Sequence, residues 1–212
     1  MNGEQRKRDD EGSATRLLAL SDGVFAIAMT LLALDLTLPA GLDPAGFERA
    51  LGDAVPNLWA YAISFLAIAA FWRGHHQMFR YTREVDGTVI RLGLLGLGLI
   101  ALMPFPTTLL AEYGDRPQSV AVYSAAVAAM GATQLALAIV LWRRSWLSTQ
   151  ALPDSVVRND VVDLAATVLV FAVAVPFAFV SPVGAKWWWA VLIPLKIVAG
   201  RRGKRLRAAD PR

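Results

Sequence analysis

The sequence contains no cysteine, and only 18% of its 212 residues are charged. The absence of cysteine excludes a disulfide framework, a thiolate metal site and a cysteine nucleophile. A soluble domain of this length would carry charges at about a quarter of its positions. The shortage of charge, together with a hydrophobic content of 56%, therefore predicts an integral membrane protein.

Motifs for hydrolytic or phosphoryl chemistry are absent as well. The sequence has no G-x-S-x-G, no H-E-x-x-H and no phosphate-binding glycine loop. We therefore expect no enzyme and no bound cofactor. The net charge of +4 comes from basic residues that flank apolar runs without interleaved aromatic residues, so we expect no nucleic-acid partner.

Long apolar runs dominate the rest of the chain. A hydrocarbon core about 30 Å thick needs roughly 20 apolar residues per helix. Six runs are long enough, at about 16–38, 56–73, 88–110, 119–142, 161–180 and 185–200. The sequence therefore predicts an all-α protein with a six-helix transmembrane domain over 16–200, between a tail of residues 1–15 and a basic tail of residues 201–212.

The distribution of basic residues predicts the orientation. If the amino terminus is cytosolic, the two tails and the loops after the second and fourth spans hold most of the lysines and arginines. The opposite side holds only Arg49, Arg116 and Lys186. This asymmetry is what the positive-inside rule requires. We therefore predict a multi-pass protein of the cell inner (plasma) membrane with both termini cytosolic.

The first span is unusually polar, with Ser21–Asp22–Gly23 near its start and Asp35 near its end. An ionised carboxylate in a transmembrane helix usually faces a bundle interior or a watery path. Asp22 therefore needs partners, and the candidates at its depth are Arg16, Arg73, His75 and His76. Such a cluster could pin the helix, relay protons, sense pH or bind a metal. Adjacent histidines on a helix point about 100° apart, which makes them poor joint ligands.

The outer half of this span carries an apolar stripe. Ile27, Thr30 or Leu31, and Leu34 recur at steps of three and four residues and share one face of a helix. Any apolar helix explains the leucines. An ordinary apolar helix does not account as well for Thr30, a polar residue in the middle of the membrane.

Three motifs carry a resemblance to a known family. Arg16-x-x-x-Leu20-Ser21-Asp22-Gly23, followed by x-F-A-I-A-x-T-L-L and Pro39, resembles the transmembrane protein 175 family of potassium channels. FWRGHHQMFRYTREVD after the second span and PFPTTLLAEY at the end of the third are similar to it too. The resemblance covers most of residues 16–113, whereas residues 118–212 match in span count and character only. Leu20 is a departure, because the family usually has phenylalanine there.

The resemblance implies a homotetramer in which the first helix lines a central pore. Ile27 would form the narrow hydrophobic constriction, Leu31 and Leu34 would form further apolar rings, and Thr30 would supply a hydroxyl ring that contributes to potassium preference. A helix-anchoring network would consist of Arg16, Ser21, Asp22 and His76. Asp35, near the outer mouth, would concentrate cations or lie at the interface.

The function that the resemblance implies is passive, potassium-selective conduction across the lipid bilayer, with potassium as the permeant ion. No TVGYG-like loop is present, so a hydrophobic gate that acts by dewetting would take the place of a carbonyl filter. Two alternatives stay open. One is a proton- or ion-coupled secondary transporter that uses Asp22 and His75 or His76, and the other is a non-conducting membrane scaffold.

Overall fold

The computed structural model describes residues 3–80, 82, 84–147 and 153–208, and for residues 3–14, 145, 207 and 208 it describes the backbone alone. Within these residues the chain forms nine α-helices: α1 Gly3–Leu31, α2 Pro44–Asp53, α3 Val55–Arg80, α4 Gly87–Leu102, α5 Pro104–Glu112, α6 Pro117–Arg143, α7 Asp154–Val180, α8 Pro182–Trp189 and α9 Leu192–Ala208. Short 3-10 helices cover Leu32–Asp35 and Ser145–Leu147. Six segments are long and apolar enough to cross a membrane. The predicted all-α, six-span fold is confirmed.

The helices around the first two predicted spans extend further than the apolar runs. α1 begins at Gly3, well before the predicted start at Arg16, and α3 continues to Arg80. Between them lies α2, a helix that is not predicted from the apolar runs. Asp43 caps this helix by accepting a hydrogen bond from the Gly46 N–H at 2.7 Å, and Pro44 occupies its first position. No residue of α2 is buried in the chain.

Prolines divide the third and sixth predicted spans. Pro104 and Pro106 have no N–H to donate, and the third span separates into α4 and α5 at Met103, whose N–H bonds to the Ile100 carbonyl at 3.1 Å. The sixth span, predicted as one helix over 185–200, separates into α8 and α9. Pro194 cannot donate to the Ala190 carbonyl, which instead accepts from the Ile193 N–H at 3.0 Å.

The centre of the bundle is α6, which packs against α3, α4, α5 and α7. A Cβ added at Gly131 would lie 3.0 Å from Cγ2 of Val168, so the close approach of α6 and α7 depends on this glycine. The main core cluster includes Phe25, Ile68, Phe71, Met103, Tyr123 and Trp189. A second cluster, at the end that carries the predicted cytosolic loops, consists of Leu17, Phe79, Val89, Leu137, Leu141 and Leu147. We call this end of the bundle the inner end.

The two loops at the inner end are joined to each other. Asp86 caps α4 by accepting from the Thr88 and Val89 N–H groups, both at 2.9 Å, and it pairs with Arg144 after α6. Desolvation alone would raise the pKa of Asp86, but the two backbone hydrogen bonds and Arg144 outweigh it and lower this pKa. The Glu84 N–H also donates to the Leu147 carbonyl at 3.3 Å. The loop before α4 is thereby tied to the loop after α6.

Candidate functional site

Helix α1 has two different faces. Leu17, Ser21, Phe25, Ala28 and Leu32 are buried. Their steps of three and four residues place them on one side of the helix, and this side packs against α3 and α4. Over residues 16–31, the opposite side of α1 is exposed in the described part of the chain.

A hydroxyl–imidazole contact fixes the buried face at the inner end. Ser21 Oγ donates to the Leu17 carbonyl at 2.7 Å and lies 3.0 Å from His75 Nε2. A serine hydroxyl has one proton, so Ser21 accepts from His75 and this imidazole carries its proton on Nε2. The His75 ring lies between the rings of Phe25 and Phe79, at centroid distances of 5.6 and 4.6 Å. The histidine is therefore held by both packing and hydrogen bonding.

Asp22, the next residue, lies beside the predicted His76 and also contacts Trp72, which was not predicted. Its Oδ1 accepts a hydrogen bond from Trp72 Nε1 at 2.8 Å. His76 Nδ1 is 3.9 Å from the same oxygen and has no hydrogen-bond partner among the described residues. Trp72 and His76 are one turn apart on α3, and their rings are 5.5 Å apart. The sequence reading missed Trp72, although its position four residues before His76 places the two side chains on the same face.

Arg16, a predicted member of the anchoring network, and Arg73, a further candidate partner of Asp22, lie apart from Ser21 and Asp22. Arg16 and Arg73 are exposed, and among the described residues no hydrogen bond or ion pair joins either one to Ser21 or Asp22. Leu20 is also exposed. A phenylalanine at this position would therefore lie outside the packing of the single chain. The place of Arg16 in the network stays a prediction.

The uncovered face of α1 and of the 3-10 helix that follows it carries what we call the exposed stripe, namely Ile27, Thr30, Leu31 and Leu34. The exposed fraction is 60% for Ile27 and 68% for Leu34. At about 1.5 Å per residue the stripe is roughly 10 Å long. Thr30 Oγ1 directs its proton to the Ile27 carbonyl at 2.9 Å or the Ala26 carbonyl at 3.1 Å. The lone pairs of this hydroxyl remain free to face a cation.

The outer end of α1 is attached through Asp35. Its Oδ2 accepts a hydrogen bond from Thr108 Oγ1 at 2.5 Å. The neighbouring Thr107 bonds to the Met103 carbonyl at 2.8 Å and lies 2.9 Å from Ser64 Oγ. Ser64 is in turn 3.2 Å from the hydroxyl of Tyr123. The PFPTT motif thus supplies one threonine to the core and one to Asp35, a role that the sequence reading did not assign.

A small cavity lies behind His75. Its volume is about 20 Å³, room for about one water molecule, and its lining includes His75, Gly93, Thr133 and Gln134. Gln134 Nε2 donates to the Phe71 carbonyl at 3.2 Å.

In the described part of the chain no group of three or more histidine, aspartate or glutamate side chains could hold a metal ion. The contacts seen at His75 are those of a hydrogen-bonding network.

Comparison with known proteins identifies the family. Residues 16–104 match the sequence model of the family described as the endosomal/lysosomal potassium channel TMEM175. A Streptomyces collinus protein named as a potassium channel is 41% identical over 170 residues, which are 78% of this chain and 82% of that one. A rat protein named as the endosomal/lysosomal proton channel TMEM175 is 27% identical over 60% of this chain and 26% of its own length.

A solved structure agrees with these sequence matches. The crystal structure of a TMEM175 homologue from Chamaesiphon minutus, described as a homologue of a lysosomal potassium-selective channel, superposes with a TM-score of 0.70. The two sequences are 28% identical, and the superposition covers 91% of this chain and 99% of the other. The chain therefore belongs to the TMEM175 family, whose members are ion channels rather than enzymes.

Proposed function

We propose that this chain is a potassium-selective cation channel that assembles as a homotetramer around four copies of α1. The observation that carries the proposal is the exposed stripe on a helix whose opposite face is firmly packed. An apolar stripe with one central hydroxyl needs either lipid or other copies of itself to cover it. The names of the bacterial relatives, which are potassium channels, support the second choice.

In this assembly the exposed stripe would line the pore. Ile27 would form the constriction, and Leu31 and Leu34 would form wider apolar rings on its outer side. A narrow apolar ring holds back ions by excluding water, so it gates by dewetting. The Thr30 oxygens would offer lone pairs to a potassium ion that has lost part of its hydration shell. Because aliphatic rings do not discriminate chemically between potassium and sodium, the selectivity that we propose is modest.

The two ends of the first span would have different functions. At the inner end, the network of Ser21, Asp22, His76 and Arg16 would keep the helix in place, with Arg16 reaching a partner on a neighbouring copy. At the outer end, Asp35 would draw cations toward the mouth while it accepts the Thr108 hydrogen bond. We propose that the residues 1–15 and 201–212 flank the transmembrane domain 16–200 on the cytosolic side of the plasma membrane.

One observation favours a second candidate, a proton- or ion-coupled transporter. His76 Nδ1 lies 3.9 Å from Asp22 Oδ1 with no hydrogen-bond partner among the described residues. Histidine side chains commonly serve as proton shuttles in proteins. In this alternative Asp22 and His75 or His76 would form a proton relay, and the exposed stripe would be a packing surface.

The test is to reconstitute the purified protein in liposomes and to measure the mass of the oligomer and the potassium, sodium and proton fluxes. A channel gives a potassium flux that grows with the driving force, exceeds the sodium flux and needs no second solute. Saturable flux that moves only with a proton gradient would support the transporter. The absence of any flux would support a scaffold. A reversal potential near zero with potassium on one side and sodium on the other would contradict potassium selectivity.

A further inference from the structure

The carboxyl-terminal helix presents a basic face that the proposed function leaves unused. α9 extends without interruption from Leu192 to Ala208, beyond the last apolar residues of the predicted sixth span. The sequence RRGKR at 201–205 is therefore a helical surface of fixed geometry. No aspartate or glutamate occurs within α9.

Contacts with α7 fix which side of α9 faces the bundle. Lys196 Nζ pairs with Asp163 Oδ2 at 2.6 Å, and Asn159 Nδ2 donates to the Ala199 carbonyl at 3.3 Å. One turn further, Gly203 is buried, and a Cβ added there would lie 3.2 Å from Asn159 Nδ2. The side of the helix that contains Gly203 is thereby docked on α7.

The basic residues point away from this docked side. At about 100° per residue, Arg201 and Arg205 lie opposite Gly203, and Arg202 and Lys204 lie on its two flanks. All four are exposed. Over the described ranges none of the four has a carboxylate within ion-pair distance, whereas Lys196 is paired. Four positive charges are therefore available to an external anion.

The same face becomes apolar toward the membrane. Ile197 and Val198 are exposed. Ile197 lies one turn before Arg201, and Val198 lies one turn before Arg202, so apolar and basic side chains follow one another on the same stripe. A ligand that fits this surface has a negative head and an apolar body. A free phosphate or an acidic peptide would use only the basic half.

We propose that this face of α9 binds an anionic phospholipid. Arg201, Arg205 and their flanking basic residues would hold the phosphate through charge-assisted hydrogen bonds, and the acyl chains would lie along Ile197 and Val198. Basic residues immediately outside a transmembrane helix typically attract anionic lipid. The docking of Gly203 on Asn159 gives this attraction a defined position next to α7.

The test is native mass spectrometry of the full-length protein in detergent, titrated with phosphatidylglycerol or with phosphatidylcholine. We expect the wild-type protein to retain phosphatidylglycerol in preference to phosphatidylcholine. The R201Q/R205Q double variant should lose about thirtyfold in phosphatidylglycerol affinity, given the contribution of each basic residue near a lipid surface. The R201K/R205K variant keeps both charges and should stay within about threefold of wild type.

Two controls make the result decisive. The R49Q/R91Q variant removes the same charge from two exposed arginines elsewhere and should bind phosphatidylglycerol as the wild type does. The oligomer mass of each variant reports whether it remains folded, and it does not depend on conduction. Equal lipid affinity of wild type and R201Q/R205Q would overturn the proposal. So would an equal loss in the R49Q/R91Q control or equal retention of the two lipids by the wild-type protein.

Discussion

The two faces of α1 use similar residues for opposite purposes. On the buried face, the hydroxyl of Ser21 is enclosed and has both a backbone acceptor and an imidazole donor. On the exposed face, the hydroxyl of Thr30 bonds to its own helix and, among the described residues, to no other element. The comparison shows that two hydroxyl groups of one helix differ in burial, and with it in the number of partners that they contact.

The apolar residues follow the same division. Phe25 is 1% exposed and contacts the His75 ring, while Ile27, two positions later, is 60% exposed. Substitutions on the buried face should therefore change the stability of the chain. Substitutions on the exposed stripe should change conduction and leave stability nearly unaltered. Each of the following predictions tests this separation at one residue.

The largest effect is expected for Phe25→Ala. Removing a buried phenylalanine side chain leaves a cavity and typically costs about 3–5 kcal/mol. The measurement is the free energy of unfolding of the purified protein in a denaturing detergent titration. The matched control is Ile27→Ala, which should change this free energy by less than about 0.5 kcal/mol. Equal losses in the two variants would show that both faces of α1 are packed.

A smaller loss is expected for Ser21→Ala. The change leaves the His75 Nε2–H without its acceptor in a buried place, and an unsatisfied buried donor costs about 1–3 kcal/mol. Thr30→Ala removes a hydroxyl from the exposed face and serves as the control, with an expected change below about 0.5 kcal/mol. The same unfolding titration measures both variants. An unaltered stability of Ser21→Ala would mean that the Ser21–His75 contact does not hold the helix.

Conduction should respond most to Ile27→Ser. A polar residue at the proposed constriction lets water enter and lowers the barrier for ions, and a tenfold rise in potassium flux corresponds to about 1.4 kcal/mol. We expect a rise of about that size in liposome flux assays. Leu66→Ser is the control, since Leu66 is 67% exposed and lies on α3, away from the stripe. A potassium flux that is unaltered by Ile27→Ser would contradict the assignment of the constriction to Ile27.

The six spans could be predicted from the sequence, because the apolar length that a span needs depends on the bilayer and not on tertiary contacts. The recurrence of Ile27, Thr30, Leu31 and Leu34 also placed them on one face. Periodicity could not tell which face is buried, since both faces of a membrane helix are apolar.

The contacts of the site were harder to predict. Asp22 accepts a hydrogen bond from Trp72 at the inner end of the second apolar run, and an indole gives no sequence signal of the acceptor to which it will donate. Thr108 donates to Asp35 because α5, which begins at Pro104, contacts the 3-10 helix Leu32–Asp35. Asp43 and Pro44 are typical of a helix start, but α2 was not predicted. A short amphipathic helix does not produce an apolar run as long as a span.

The smallest effect is expected for Thr30→Val, which keeps the shape of the side chain and removes its oxygen. If the Thr30 lone pairs stabilise a partly dehydrated potassium ion, the potassium-to-sodium permeability ratio should fall about two- to threefold, a change well below the ~1.4 kcal/mol of a tenfold effect. The stability of the chain should not change, because among the described residues Thr30 bonds to no element besides its own helix. Thr30→Ser keeps the oxygen and should retain the ratio, as measured by reversal potentials under bi-ionic conditions. A ratio that Thr30→Val leaves intact would assign selectivity to the width of the apolar rings alone, and the exposed face of α1 would then act on ions only by its shape.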